Sequence, residues 1–247
     1  MNIIYLFDVD GVLCDRGKKI EPDFKQWFLD WTNNKTFYYL TGSGREKTID
    51  QLGNDLVSKT RISYHCLSNN IWIDDREVCI NQFTLKSEEL DFLEEYIKNS
   101  PFGTKTGNHI DFRKGSINFS IVGKNASESA RKSYQLFDKT SRDREKFIKL
   151  FTAKFPRFEA YQGGDVSVDI CLHNCNKSQV LTLLPPCDKL LFFGDRCMPG
   201  GIDYPLARMF TPALHDDVTS NVSDKYRWKY FQIDNGCKQT WEILKQL

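Results

Sequence analysis

Near its start the chain carries a short apolar run that ends in two closely spaced acids, and this feature most constrains the fold. The run from Ile3 to Phe7 has the composition of a buried parallel strand, and Asp8 and Asp10 follow it directly. Gly11 then supplies a sharp turn. We expect both carboxylates at the carboxyl end of the sheet, where ligands bind in open α/β folds. Such acids can act as nucleophile and proton carrier, although an Asp-rich turn or a calcium-loop fragment has the same local pattern.

Two later segments supply groups that suit a phosphate. Residues Thr36 to Leu40 predict a second buried strand, and Thr41-Gly42-Ser43-Gly44 then offers a hydroxyl and exposed backbone N–H groups ahead of a helix. Lys177 opens another predicted helix, where a positive charge opposes the helix dipole. Because that position does not stabilise the helix, the lysine is predicted to bind a ligand.

A third predicted strand supplies a further acid. Residues Lys189 to Phe193 are apolar enough for a buried strand and lead into Gly194-Asp195, with Asp203 shortly beyond. We expect Asp195 to join Asp8 around a hard cation, because carboxylate oxygens are the ligands that such cations prefer.

These segments carry a family resemblance. The signature motifs of the haloacid dehalogenase superfamily of phosphotransferases resemble Phe7-Asp8-Val9-Asp10-Gly11, Thr41-Gly42-Ser43, Lys177 and Phe193-Gly194-Asp195. A closer similarity, to the eukaryotic-type phosphomannomutases, rests on Gln51-Leu52-Gly53, Phe112-Arg113-Lys114-Gly115, Gly163 to Asp169 and Gly194 to Gly201. This similarity covers nearly the whole chain, and its second set of motifs is the more specific one.

The resemblance implies an α/β fold, with a Rossmann-like core around a parallel sheet and an inserted α+β cap of the C2 type. The pattern of the chain agrees with it. Up to about residue 80, short apolar strands alternate with amphipathic helices; an α+β pattern follows, and Lys177 restores the first pattern. We expect residues 1–80 and 177–247 to form the catalytic core and residues 81–176 to form a cap that binds a sugar phosphate.

The resemblance also implies an activity, the interconversion of mannose 6-phosphate and mannose 1-phosphate for GDP-mannose supply. Asp8 would become an aspartyl-phosphate, Asp10 would transfer protons, and Ser43 and Lys177 would hold the phosphoryl group. Mg²⁺ would be the cofactor, and a hexose 1,6-bisphosphate would be both intermediate and activator. A closing cap would keep water from the phosphorylated enzyme.

The implied metal ligands are Asp8, the carbonyl of Asp10, Asp195 and Asp203. In the cap, Arg113 and Arg131 match the arginines that bind the distal phosphate in the family, because guanidinium groups hold phosphate bidentately. Ser167 and Asp169 match the pair that contacts sugar hydroxyls. They lie two residues apart on a predicted strand and therefore on one face.

The chain departs from the family pattern at several positions. Lys124 stands where a third cap arginine is expected, which keeps the charge but loses the bidentate fork. Gly17 replaces an arginine, and we expect a neighbour, Arg16 or Lys18, to bind substrate in its place. Further departures are Asn69-Asn70, Ile202 and a long segment from His215 to Lys229 that is rich in charge, with Asp216, Asp217, Asp224, Lys225 and Arg227. We interpret that segment as a solvated loop, with a partner contact as the alternative.

Composition excludes some classes of protein. The net charge of +1, from 34 basic and 33 acidic residues, gives no field that would gather nucleic acid or an anionic membrane. No apolar stretch approaches the roughly 20 residues of a membrane span, and we find no signal peptide. We expect a cytoplasmic protein that pairs through its cap as a homodimer, with its 8 cysteines as reduced thiols. Cys171, His173 and Cys175 lack the second half of a zinc site.

Two alternative functions remain open from the sequence. A sugar-phosphate phosphatase would use the same Asp8 intermediate and release it to water if the cap admits water. A catalytically silent binding module is the other alternative. It is disfavoured because Asp8, Asp10, Lys177 and Asp195 are all present.

Overall fold

The computed structural model of the protein describes residues 2–210 and 228–247. Within these ranges the strands are β1 Ile3–Phe7, β2 Thr36–Leu40, β3 Ile62–His65, β4 Asn70–Ile73, β5 Arg76–Cys79, β6 Ile110–Arg113, β7 Ser116–Phe119, β8 Phe158–Gln162, β9 Val168–Leu172, β10 Lys189–Gly194 and β11 Lys229–Gln232. The helices are α1 Pro22–Trp31, α2 Arg45–Leu52, α3 Asn54–Val57, α4 Ser87–Asn99, α5 Glu128–Ser141, α6 Asp143–Lys154, α7 Val180–Leu183, α8 Tyr204–Ala207 and α9 Gly236–Leu244. Single turns of 3₁₀-helix lie at Cys66–Ser68, Lys177–Gln179 and Arg208–Phe210.

The larger sheet has the strand order β11-β10-β1-β2-β3-β4-β5. The strands from β11 to β3 run parallel, whereas β4 and β5 are antiparallel to their neighbours. The predicted α/β class is confirmed, but the sheet is mixed and not wholly parallel. Only residues 66–69 separate β3 from β4, and so short a connection cannot make a parallel crossover.

Apolar packing on both faces of this sheet explains why its inner strands β1, β2 and β10 are largely apolar. On one face the ring of Phe7 lies 4.8 Å from that of Phe193 and 5.3 Å from that of Phe28 on α1. On the opposite face the fully buried Leu6 and Phe192 belong to a second cluster. Because β1 lies between β10 and β2, its carboxyl end is flanked by the carboxyl ends of two other parallel strands.

The smaller sheet, with the order β6-β7-β9-β8, is antiparallel. One of its faces packs on α4, α5 and α6 in a cluster that includes Phe119, Phe147 and Phe151. The opposite face carries Asp111, Arg113, Asn118 and Asp169 towards the carboxyl edge of the larger sheet. We call this sheet and its helices the cap and the remainder the core. The assignment of residues 81–176 as a separate domain stays a prediction.

Asn69, one of the departures from the family pattern, ties the segments that join the two sheets. Its Nδ2 atom donates to the carbonyls of Cys66 and Cys175, at 2.9 and 2.7 Å. Its Oδ1 atom accepts from Asn81 and Gln179, at 3.1 and 3.0 Å. Both connections between cap and core therefore meet at one buried amide.

None of the helices in the described parts of the chain has the length and apolar composition of a membrane span. Of the charged segment from His215 to Lys229, residues 215–227 lie outside the described residues. Its last two residues are described. Trp228 packs against Phe210, with ring centroids 5.6 Å apart, and Lys229 begins β11.

Candidate active site

A cleft of about 1020 Å³ lies between the carboxyl edge of the larger sheet and the polar face of the cap. It brings together every site residue predicted from the sequence except Asp203. Those that line it are Asp8, Asp10, Arg16, Ser43, Arg113, Lys124, Arg131, Ser167, Asp169, Lys177 and Asp195. Asp203 is fully buried behind the cleft.

Three acids and one lysine form the floor of the cleft. One carboxylate oxygen from each of Asp8, Asp195 and Asp203 lies within 4.8 Å of the others. The fully buried ammonium of Lys177 is 2.6 Å from Asp203 Oδ1 and 3.1 Å from Asp8 Oδ1. The other oxygen of Asp203 accepts the backbone N–H groups of Asp195 and Arg196, at 3.1 and 3.0 Å. Asp203 thus fixes both the lysine and the loop after β10.

The electrostatics of this cluster suit a cation. Burial raises the pKa of the Asp8 carboxyl, and the charges of Asp203 and Asp195 raise it further against the opposing effect of Lys177. Burial and Asp203 raise the pKa of Asp195 to about 6, although Arg16 acts in the opposite direction. Burial opposes the charge of Lys177, but Asp203 and Asp8 outweigh it and raise the lysine pKa. Three acids around the Lys177 ammonium and the Arg16 guanidinium still leave an excess of negative charge, which fits a divalent cation that prefers oxygen ligands.

Asp8 and Asp195 line the cleft and are the acids placed to bind such a cation directly. Because both oxygens of Asp203 already accept hydrogen bonds, its geometry favours holding Lys177 and Asp195 in place. A ligand role for Asp203 stays a prediction.

Asp10 sits in a different environment from Asp8. Its Oδ1 atom accepts from the Gly17 N–H at 2.9 Å and from Gln51 Nε2 at 2.7 Å, and its Oδ2 atom pairs with Lys47. Burial raises the pKa of Asp10, but the charge and hydrogen bond of Lys47 outweigh this and lower it. The pKa of Asp8 is thus raised and that of Asp10 lowered, as expected for two acids with different roles.

Lys47 and Gln51 were missed as site residues from the sequence. The signal was their spacing: α2 starts directly after the Thr41-Gly42-Ser43-Gly44 segment, so Ser43, Lys47 and Gln51 recur every four residues on one face. The Lys47 ammonium accordingly lies 3.2 Å from Ser43 Oγ as well as beside Asp10.

A left-handed turn holds the segment that carries Ser43 in place through hydrogen bonds. Cys66, Leu67 and Ser68 have φ values of 50°, 64° and 70°. Such a conformation costs about 1–2 kcal/mol per residue other than glycine. The turn brings the Cys66 and Leu67 N–H groups to the carbonyls of Ser43 and Thr41, at 3.0 and 3.1 Å. Local strain thereby fixes the loop that would hold a phosphate.

On the cap side, Arg113 reaches across the cleft. Its Nη1 atom donates to the Gly42 carbonyl at 2.7 Å and to Asp169 Oδ1 at 3.1 Å, and its Nε atom donates to Asp111 at 3.0 Å. The same Asp169 oxygen accepts from Asn118 Nδ2 at 2.8 Å. Arg113 and Asp169 are therefore preorganised as a pair at the centre of the cap face.

The other predicted cap residues surround this pair. Lys124 lies 3.0 Å from Asp111, with about half of its side chain exposed. Arg131, in the first turn of α5, lines the cleft half-buried, and Ser167 is buried at its edge.

Arg16, and not Lys18, occupies the cleft near the position where the family arginine is replaced by Gly17. Its Nε atom donates to Asp195 Oδ2 at 2.6 Å, its Nη2 atom contacts the same oxygen, and its Nη1 atom donates to Asp165 at 2.9 Å. Lys18 is largely exposed and pairs with Asp15. The predicted substrate-binding arginine is thus engaged with two acids of the protein itself.

The raised pKa of Asp195 predicts a pH dependence of stability. The ordinary Asp pKa is about 4, so between pH 4 and 6 the unfolded chain releases this proton while the folded chain keeps it. In metal-free buffer this carboxyl therefore lowers the free energy of unfolding as pH rises, by at most about 1.4 kcal/mol per pH unit.

Urea unfolding at several pH values in the presence of a chelator measures this slope. Asp195→Asn should remove the contribution, whereas Asp91→Asn, at an exposed position on α4, should keep the wild-type slope. The same slope in wild type and Asp195→Asn would show that the acid titrates normally.

Solved structures with similar folds include a trehalose-6-phosphate phosphatase and an IMP-nucleotidase. The C-terminal domain of the C. albicans trehalose-6-phosphate phosphatase superposes with a TM-score of 0.64 over 99% of this chain and 92% of that chain, at 13% identity. A Plasmodium falciparum IMP-nucleotidase gives a TM-score of 0.57 over 100% of this chain and 68% of that one, also at 13% identity. At such low identity the similarity concerns the fold alone.

Sequence comparison is more specific. A phosphomannomutase of Spinacia oleracea is 30% identical over 212 residues, which cover 82% of this chain and 85% of that protein. One of Nicotiana benthamiana is 27% identical over 251 residues, covering 95% of this chain and 97% of that protein. The sequence model of the eukaryotic phosphomannomutases matches residues 25–220. This confirms the resemblance found in the motifs: the chain belongs to the eukaryotic phosphomannomutase family.

Proposed function

We propose that this protein interconverts mannose 6-phosphate and mannose 1-phosphate through an aspartyl-phosphate on Asp8, with Mg²⁺ as cofactor and a hexose 1,6-bisphosphate as intermediate and activator. The observation that carries the proposal is the two-sided cleft: Asp8 and Asp10 lie at one wall, and Arg113 and Arg131 line the other. A sugar bisphosphate needs both walls, because one phosphate reacts while the other is held. Membership of the family supports the same conclusion.

Each turnover starts from the phosphorylated enzyme. The hydroxyl of the bound hexose phosphate attacks the phosphorus, the bond from phosphorus to the Asp8 carboxylate breaks, and the hydroxyl proton passes to Asp10. The lowered pKa of Asp10 means that it begins this step ionised and able to accept the proton. Lys47, Gln51 and the Gly17 N–H hold its carboxylate in place.

The second half of the turnover reverses the first on the other phosphate. The bisphosphate turns end for end, Asp8 attacks the phosphorus that now faces it, and Asp10 returns its proton to the leaving sugar oxygen. Lys177 and Ser43 hold the group in transfer. Asp8, the Asp10 carbonyl and Asp195, with Asp203 behind them, would hold Mg²⁺, whose positive charge would neutralise the phosphoryl oxygens.

The cap supplies the second anchor. Arg113, Lys124 and Arg131 would bind the distal phosphate in either orientation of the intermediate, and Ser167 and Asp169 would contact sugar hydroxyls. Arg113 donates to the Gly42 carbonyl of the phosphate loop at 2.7 Å, so this arginine already reaches from the cap to the core wall of the cleft. We infer that residues 81–176 act as the cap domain, closing over residues 1–80 and 177–247.

A hexose-phosphate phosphatase is the second candidate function. Lys124 favours it, because a half-exposed ammonium paired with Asp111 gives a single point contact where an arginine would give a fork. A weaker distal anchor would hold the cap less firmly and admit water to the Asp8 phosphate.

The first test compares turnover of mannose 1-phosphate with and without a hexose 1,6-bisphosphate, in Mg²⁺ buffer. A mutase requires the activator and yields mannose 6-phosphate; a phosphatase releases inorganic phosphate in either case. Asp8→Asn should abolish activity, and Asp10→Asn should slow it by roughly two to four orders of magnitude, the usual contribution of a positioned acid–base group. Retained transfer in Asp8→Asn would refute the covalent route.

A second test concerns the distal anchor. Arg131→Ala should raise the KM for the sugar phosphate and lower kcat together, because the distal phosphate supplies the binding energy that closes the cap. Lys124→Arg should change both constants in the opposite direction. Arg142→Ala, on the exposed end of the same helix pair, is the matched control. Unchanged kinetics in both Arg113→Ala and Arg131→Ala would place the anchor elsewhere.

We further propose that the protein works in the cytoplasm as a homodimer that pairs through residues 81–176. Two large apolar side chains on the cap helices are exposed: Leu136 on α5 by 66% and Leu150 on α6 by 56%. Sedimentation at micromolar concentration should show a dimer, and Leu136→Glu should weaken it. A monomer in the wild type would rule this pairing out.

A further inference from the structure

One acid, Asp165, connects a loop of the cap to the core through ion pairs. Asp165, in the Gly163 to Asp169 segment, accepts from Arg16 Nη1 at 2.9 Å and from Arg196 Nη2 at 3.3 Å through the same oxygen. Both arginines belong to the core. Neither the motifs nor the mechanism above gives Asp165 a role.

The two arginines lie on the segments that hold the reacting acids. Arg16 also donates to Asp195, and the N–H of its neighbour Gly17 donates to Asp10. The backbone N–H of Arg196 donates to Asp203. Asp165 therefore connects the cap to both the loop after β1 and the loop after β10.

Charge favours this connection. The guanidinium groups of Arg16 and Arg196 lie 2.9 and 3.3 Å from the same Asp165 oxygen, so this acid offsets the repulsion between them. Arg144 pairs with Asp138 within the cap and donates to the Gly164 carbonyl at 3.0 Å. The cap arginine thus holds the residue before Asp165, and Asp165 itself contacts the two core arginines.

The backbone next to Asp165 also crosses the boundary. The Gln162 N–H donates to the Gly200 carbonyl at 2.9 Å, and the Ile202 N–H donates to the Gln162 carbonyl at 3.2 Å. Both hydrogen bonds join the cap to the core, so they would break if the cap moved away from the core. Exchange of the two amide hydrogens would therefore report on opening of the cleft.

We propose that Asp165 is a positioning residue that latches the cap onto the core through Arg16 and Arg196 and so keeps water from the phosphorylated Asp8. The first part rests on geometry alone, and the second rests on the proposed isomerisation. When the latch opens, water can attack the phosphorus, the bond to the Asp8 carboxylate breaks, and inorganic phosphate leaves while Asp10 takes the proton from the water.

Amide hydrogen exchange on the full chain without ligand tests the latch directly. Asp165→Asn should speed exchange at the Gln162 and Ile202 amides about tenfold, the effect expected from losing a charge-assisted contact. The amide of Ile170, which lies inside the cap sheet, should keep its rate. Glu128→Gln, which removes an exposed ion pair on α5, is the control and should change neither.

Arg196→Gln provides an independent arm that leaves Asp165 in place. It should speed hydrogen exchange at the same two amides. In the double variant with Asp165→Asn these amides should exchange no faster than in Asp165→Asn alone, because both substitutions remove the same interaction. Unchanged rates at Gln162 and Ile202 would overturn the latch. Equal acceleration at Ile170 would overturn it too, because the whole cap would then have loosened.

The consequence for chemistry is measured as phosphate released per isomerisation turnover. This ratio should rise severalfold in Asp165→Asn and return towards the wild-type value in Asp165→Glu. An unchanged ratio together with faster amide exchange would support the latch and overturn its role in excluding water. If the wild type shows no isomerisation at all, the proposed function fails while the exchange result still decides the latch.

Discussion

A buried ammonium holds the active site together. Lys177 has no contact with solvent and lies between Asp8 and Asp203, and Asp203 in turn binds the backbone of Asp195. A charge in such a place is tolerated only because it is paired, and removal of one partner of a buried pair costs about 3–5 kcal/mol in other proteins. Every other polar element at the floor of the cleft is arranged around this constraint.

The position of Lys177 in the chain couples this charge network to the cap. The lysine is the first residue of the turn that follows the return of the chain from the cap, and the Asn176 side chain caps that turn. Asn69 holds the carbonyl of Cys175 and the side chain of Asn81, so both connections to the cap are anchored beside the strained turn that fixes the phosphate loop. The connections to the cap thus lie directly beside the residues that position the acids.

Much of this could be predicted from the sequence where a local pattern has one physical meaning. The apolar run before Asp8 and the hydroxyl and glycines after β2 each indicated the end of a strand. The lysine at a helix start indicated a charge that binds a ligand, and the cleft brings these groups together. The mixed sheet was not predicted, because periodicity identifies a strand but not its direction. The pairing of Arg16 with Asp165 and Asp195 also could not be foreseen, since it depends on how closely the cap approaches the core. For Lys47 the four-residue spacing from Ser43 at the start of α2 was the available signal.

We propose that Asp8 carries the phosphoryl group, and rapid acid quench followed by mass spectrometry tests this most directly. The protein is mixed with a hexose 1,6-bisphosphate and Mg²⁺, quenched and digested. We expect the peptide that contains Asp8 to gain the mass of one phosphoryl group, with fragmentation placing it on Asp8 and with no gain in Asp8→Asn. A phosphoryl group on any other residue, or turnover with no modified peptide at any time point, would contradict the account.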